Sequence, residues 1–199
     1  MSETKSGLPI LGFASSADWE AWLAAQPADS PGLWLKLAKS GSGVSSVSKP
    51  EAIEGALIHG WIDGQLETYD DRFWLTRFTP RKARSKWSAN NRATALALIA
   101  AGRMAPAGQA QVDAAQADGR WDAAYAPQSR AEVPDDLAAA LDASPAAKAL
   151  FDRLDAANRY AVLYRVHDAR TDKTRAARID KFVTMLARGE TIYPLKAKG

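Results

Sequence analysis

The sequence predicts an α+β fold, with a small antiparallel sheet in the N-terminal half packed with a mostly helical C-terminal half. Segments with strand-like alternation and turn signals occur before residue 80, whereas alanine-rich segments with helical start and stop signals follow from residue 88. A chain of 199 residues with 47% hydrophobic residues can bury one substantial core. We therefore expect a single domain over 1–199, with an α/β part at about 13–80 and a helical part at about 88–189.

The N-terminal part is predicted to hold two helices and three strands. Helices at about 15–26 and 48–59 are expected because Ser15 and Ser48 begin capping patterns. Strands are expected at 33–39, 61–69 and 73–78. Since only the short turn Asp70-Asp71 separates the last two strands, they should form an antiparallel hairpin.

The C-terminal part is predicted to be helical, with helices bounded by proline, glycine and capping residues. The expected ranges are about 88–101, 106–118, 135–142, 145–153, 155–168 and 172–188. Residues 120–134 show no clear period and should form a packed loop.

Composition excludes several classes of function. The chain has no cysteine, so disulfides, thiolate nucleophiles and thiolate metal sites are excluded, and a reducing compartment is favoured. Two histidines without cysteine make a transition-metal site improbable, and no motif indicates a cofactor. No secretory leader pattern and no apolar run of about 20 residues occur, so we expect a cytoplasmic protein without membrane insertion. The sequence assigns no oligomeric state.

The segment 77–92 concentrates positive charge. It contains six basic residues and no acid, next to hydroxyl and amide side chains at the start of a predicted helix. Such a helix start presents free backbone N–H groups, and arginine adds paired donors, so the segment suits a small anionic ligand. The candidate binding residues are Arg81, Arg84, Ser85, Lys86, Trp87, Ser88, Asn91 and Arg92. A solvated basic loop and a nucleic-acid surface, with Trp87 stacking on bases, are the alternatives.

Helix phase places two arginines on core-facing sides. Arg92 precedes Leu96 by four residues, and Arg175 precedes Ile179 by four. A buried guanidinium needs an acid, carbonyl groups or a ligand, because desolvation of an unpaired charge is costly. We expect either a structural network with Asp63 or convergence of both arginines on one anion beside Trp61 or Trp87.

An enzyme is a further alternative, with His59 and Asp63 as an acid–base pair. The two residues are four apart, but Gly60 between them is expected to end the helix. They therefore need not share a face, and geometry is the first requirement for such a pair.

Several ordered motifs carry a family resemblance. They are Ala56-Leu57-Ile58-His59-Gly60-Trp61-Ile62-Asp63-Gly64, Arg77-Phe78-Thr79-Pro80-Arg81, Ser85-Lys86-Trp87-Ser88, Gly102-Arg103-Met104-Ala105-Pro106, Gly119-Arg120-Trp121, Thr174-Arg175 and Arg178-Ile179. With them the chain strongly resembles the bacterial YdeI/OmpD-associated family, also called bacteriocin-protection proteins. The resemblance implies a link to tolerance of bacteriocins or antimicrobial peptides, and it brings no catalytic mechanism. Ile58 stands where similar sequences often carry cysteine.

Overall fold

A computed structural model describes residues 3–195, and the chain divides after Ala124 into two compact units. The first unit contains, in order, β1 (Thr4–Lys5), β2 (Leu8–Gly12), α1 (Ser16–Ala24), β3 (Leu33–Ala38), α2 (Lys49–Ile58), β4 (Trp61–Thr68), β5 (Phe73–Pro80), α3 (Ala89–Ala100) and α4 (Pro106–Ala117). The second contains a short 3₁₀ turn (Gln128–Arg130), α5 (Asp135–Asp142), α6 (Pro145–Phe151), α7 (Ala156–His167) and α8 (Asp172–Ala187). The α+β class is confirmed, and the grouping of the units into one domain stays a prediction.

The sheet is mixed, which corrects the expected antiparallel sheet. Its strand order is β1-β2-β3-β5-β4, and β2 runs parallel to β3 while the other neighbours are antiparallel. The parallel pair arises because α1 carries the chain back along the sheet between β2 and β3. No strand was predicted at β2, because Pro9 and Gly12 interrupt its apolar residues. Pro9 lies opposite Thr4 of a two-residue partner strand, where a missing N–H is tolerated.

Capping residues explain why the helix starts were predictable. The hydroxyl oxygens of Ser15, Ser48, Ser88 and Thr171 each accept a hydrogen bond from a backbone N–H three residues later. Each cap satisfies a donor that the first helical turn would leave unpaired. The chain therefore enters α1, α2, α3 and α8 where the sequence indicates.

The main core of the first unit lies between one face of the sheet and the helices α1 and α2. Leu33 and Leu35 of β3 face Trp19 of α1, which is fully buried. The indole N–H of Trp19 donates to the carbonyl of Ala52 in α2 at 3.0 Å, so burial of this ring leaves no unpaired donor. The seven tryptophans of the chain all precede residue 125, so this unit contains every indole.

Helices α2, α3 and α4 form a second core in the same unit. It contains Leu57, Leu98 and Val112 together with two buried tryptophans. Helix α4 passes the end of α2 at Gly108, where an added Cβ would lie 2.3 Å from the carbonyl oxygen of Ile58. Glycine is required there because two backbones approach more closely than a methyl group allows.

The second unit is a helical cluster with its own core. Leu137, Phe151, Val166 and Phe182 are buried between α5, α6, α7 and α8. The polar side chain of Asn158 in α7 is also buried, at 1% exposure. Its Nδ2 donates to the carbonyl oxygen of Tyr193 at 3.1 Å, and its Oδ1 accepts from the backbone N–H of Tyr193 at 2.9 Å. These bonds attach the segment after α8 to α7.

Across residues 3–195, no helix combines the length and apolar character that a membrane crossing would need.

Candidate functional site

The loop between β5 and α3, residues 81–88, is here called the basic turn. Its backbone is closed by a hydrogen bond from Ser85 N–H to the carbonyl of Lys82 at 2.9 Å, and Lys82 N–H donates to the Ser85 hydroxyl at 2.9 Å. Arg81 N–H donates to the carbonyl of Gly60 at 2.9 Å, which anchors the turn to the end of α2. The basic turn is therefore fixed by its own hydrogen bonds, although it is a loop.

Arg81 and Trp87 form the inside of the basic turn. The Arg81 guanidinium carbon lies 3.7 Å from the ring centroid of Trp87, and its Nη1 donates to the carbonyl of Lys86 at 3.1 Å. Trp87 is 2% exposed and packs edge-on against Trp121, with ring centroids 4.8 Å apart. Because its ring is covered, Trp87 supports the turn, and it is not available to stack on a base.

Two further arginines connect the basic turn to the chain after α4. Arg92 donates from Nη1 to the carbonyl of Trp121 at 3.1 Å, and Arg120 donates from Nη1 to the carbonyl of Ser85 at 2.9 Å. Arg120 also forms an ion pair with Asp118 at 2.7 Å. Sequence reasoning missed Arg120 as a support of the turn. Its only signal was the Gly119-Arg120-Trp121 motif, which does not reveal its partner 35 residues earlier.

Four of the cations in residues 77–92 form no ion pair in the described chain. Arg77, Lys82 and Arg84 are exposed, Arg92 is half-buried, and none of the four forms an ion pair within residues 3–195. Ser88 caps α3 by accepting from Asn91 N–H at 3.1 Å, and the first turn of α3 has no acidic residue. An anion near this helix start would meet cations and the positive end of the helix dipole.

Trp61 and Asp63 lie on β4 and belong to the sheet. Trp61 is buried at 4% exposure, and its ring meets Trp22 edge-on with centroids 5.6 Å apart. Asp63 is half-buried and lies opposite Phe78 in the β4–β5 ladder. In the described part of the chain, Asp63 forms no ion pair with an arginine.

Arg175 has its acid partner in the second unit, at Asp136 in place of the expected Asp63. Its Nε and Nη2 lie 2.5 and 2.8 Å from the two carboxylate oxygens, and its Nη1 donates to the carbonyl of Val166 at 3.2 Å. The guanidinium lowers the pKa of Asp136 by hydrogen bonding to its charged form. Arg92 belongs to the first unit and Arg175 to the second, and their convergence on one ligand stays a prediction.

The geometry around His59 gives no acid–base pair with Asp63. His59 is the residue after α2, and burial lowers its pKa, partly offset by the charge of Glu20. Among the described residues, no hydrogen bond or ion pair joins His59 to Asp63, and no group of three or more metal-ligating side chains occurs.

Two family models match the chain, one in each unit. Residues 11–111 match the Domain of unknown function (DUF8412), and residues 130–189 match the family described as Bacteriocin-protection, YdeI or OmpD-Associated. The first match lies inside the unit that ends at Ala124, and the second lies inside the unit that follows it. No curated protein and no solved structure matches the chain.

Proposed function

For this chain, which belongs to the family described as Domain of unknown function (DUF8412) through residues 11–111 and whose residues 130–189 match the YdeI/OmpD-associated bacteriocin-protection family, we propose a function that neither family description states. The protein binds a small anion, of the phosphate or carboxylate class, at the basic turn and the start of α3. Protection against bacteriocins is named in the description of the second family, and we assign no residue of this chain to it. The proposal keeps the cytoplasmic location that a cysteine-free sequence favours.

Two exposed cations without an ion pair, held on a fixed turn, are the observation that carries the proposal. Lys82 and Arg84 are exposed without an ion pair in the described chain, and the turn that holds them is closed by the Lys82–Ser85 hydrogen bonds. A fixed turn loses less conformational entropy on binding than a flexible loop would. Arg175 is not part of the proposed anion site, because its Nε and Nη2 already donate hydrogen bonds to the Asp136 carboxylate.

A small anion is favoured over nucleic acid because of the aromatic side chains. Nucleic-acid surfaces of the single-stranded type combine cations with rings on which bases stack. Trp87, the aromatic residue of the basic turn, is covered by Arg81 and Trp121. The exposed side chains of the basic turn then include the cations Lys82 and Arg84 but no aromatic ring, which suits one compact anion.

Calorimetric titration with pyrophosphate at several sodium chloride concentrations tests the proposal. The double variant Lys82→Gln/Arg84→Gln should weaken pyrophosphate binding about tenfold, because each exposed cation contributes up to ~1 kcal/mol. The matched control is Lys49→Gln/Lys181→Gln, which removes the same charge from exposed residues outside the turn. The control should bind like the original chain.

Three outcomes would overturn the proposal. Equal losses in both double variants would show a diffuse charge effect, and no binding by the original chain would remove the site. Tighter binding of a single-stranded oligonucleotide, with a steep fall in affinity as salt rises, would support the nucleic-acid alternative, since each phosphate contact adds to the salt slope.

A further inference from the structure

A groove runs between α5 and α8 in the second unit and is here called the α5/α8 groove. Its volume is about 710 Å³, within the range of about 300–1,000 Å³ that ligand sites occupy. Its apolar lining, here called the floor, consists of Ala140, Ala143, Ala176, Ile179 and Val183. The three alanines leave the groove open, because a methyl group fills less of the space between two helices than a longer side chain.

The rim of the α5/α8 groove is acidic. Asp136, Asp172 and Asp180 line it, against the single guanidinium of Arg175. Arg175 is already bonded to both carboxylate oxygens of Asp136. Asp172 and Asp180 form no ion pair in the described residues, so two carboxylates remain along the α8 side.

The spacing of these two carboxylates matches a helical partner. Asp172 and Asp180 are eight residues apart on α8, which is about 12 Å along the helix axis. A second helix lying along α8 places cations at the same separation when its basic residues are seven or eight apart. Its apolar side chains, at helical spacing between those cations, would then lie on Ala176 and Ile179.

We propose that the α5/α8 groove binds a basic amphipathic helix of a partner polypeptide, through its apolar floor and the carboxylates of Asp172 and Asp180. Charge complementarity selects a cationic partner, and the apolar floor selects one with an apolar face. A small polyamine would satisfy the carboxylates but leave the floor open to water. The groove shares no residue with the basic turn, so its test is independent of the proposed anion function.

The first experiment uses a fluorescent, amidated leucine–lysine peptide with helical amphipathic spacing and the full protein chain. The control probe has the same composition with leucine and lysine alternating, so it has the same charge but no apolar helical face. Fluorescence anisotropy should show that the helical peptide binds at least tenfold more tightly than the alternating one. Equal binding of the two peptides would reduce the interaction to charge alone and overturn the proposal.

Variants then locate the site. Asp172→Asn/Asp180→Asn removes the two rim carboxylates that form no ion pair. Ala176→Phe adds a large side chain to the floor at an exposed position, so the fold tolerates it. Each variant should bind the helical peptide at least tenfold more weakly, and its far-UV circular dichroism should be unchanged. The control Glu132→Gln/Glu190→Gln removes two exposed acids outside the groove and should bind like the original chain.

Other outcomes assign the groove differently or reject it. Unchanged peptide binding in both groove variants would place the contact elsewhere. If spermidine binds as tightly as the peptide and displaces the peptide, the occupant of the groove is a small polycation. Amide NMR shifts confined to residues of α5 and α8 on peptide addition would support the proposal without any substitution.

Discussion

Gly108 should tolerate no side chain, although it lies inside a helix. An added Cβ would be 2.3 Å from the Ile58 carbonyl oxygen, and 2.6 Å from both the Leu57 carbonyl oxygen and the Met104 sulfur. The two oxygens belong to the backbone at the end of α2, so they cannot rotate away. We therefore expect Gly108→Ala to destabilise the first unit.

The size of the effect follows from opposing contributions. Helix propensity alone favours alanine by about 1 kcal/mol. Relief of the contact requires α4 to move by roughly 1 Å, and overpacking of this kind costs about 1–3 kcal/mol. The same movement disturbs the hydrogen bond from Ala105 N–H to the Ile58 carbonyl at 3.2 Å, which is worth about 1 kcal/mol. The net loss of unfolding free energy should be about 1–3 kcal/mol.

Urea unfolding followed by tryptophan fluorescence measures this loss, because every tryptophan lies in the first unit. The double variant Gly108→Ala/Met104→Ala removes the flexible sulfur contact but leaves both carbonyl contacts. It should not recover the stability of the original chain. A Gly108→Ala protein as stable as the original, or complete rescue by Met104→Ala, would refute the argument that backbone approach is decisive.

Two further predictions concern the second unit. Asn158→Ala removes both hydrogen bonds to Tyr193 and should lower the unfolding free energy, measured by far-UV circular dichroism, by about 2–3 kcal/mol. The segment after α8 should also be cleaved faster by a protease. An unchanged proteolysis rate would contradict the anchoring role. The carboxyl of Asp136 has a pKa below its ordinary 3.8 because of Arg175, so its contribution is present above that value and is lost as the pH falls through the lower folded pKa. Since Asp136 is largely exposed, the contribution should be at most about 1 kcal/mol, and Arg175→Met should remove this part of the acid dependence of unfolding. An identical acid dependence in the variant would refute it.

Most helices were predictable because their signals are local in sequence. The strand pairing was not, because it depends on residues far apart in sequence. Ser48 and Ser88 mark helix starts through bonds to residues three positions away, which a sequence displays directly. The pairing of β2 with β3 depends on α1 folding back between them. Pro9 within β2 argues locally against a strand. The mixed sheet was therefore not visible in the pattern of apolar residues.

The candidate site shows the same division between local and distant information. The cations of the basic turn are adjacent in sequence, so their concentration was evident. The partner of Arg175 lies 39 residues earlier, and helix phase could indicate the need for a partner without identifying Asp136. Arg120 supports Ser85 across 35 residues, a contact that no spacing rule encodes.

The two ends of the sheet have a consequence for self-association. At one end β1 has only two residues, and its Lys5 forms an ion pair with Glu67 of β4, the strand at the other end. At the other end, the register of β4 shifts between Asp63 and Leu66, which bends the strand out of a flat ladder. Edge strands that are short, charged or bulged are poor templates for another strand. The described sheet thus ends, on both sides, in strands that discourage a second molecule from extending it.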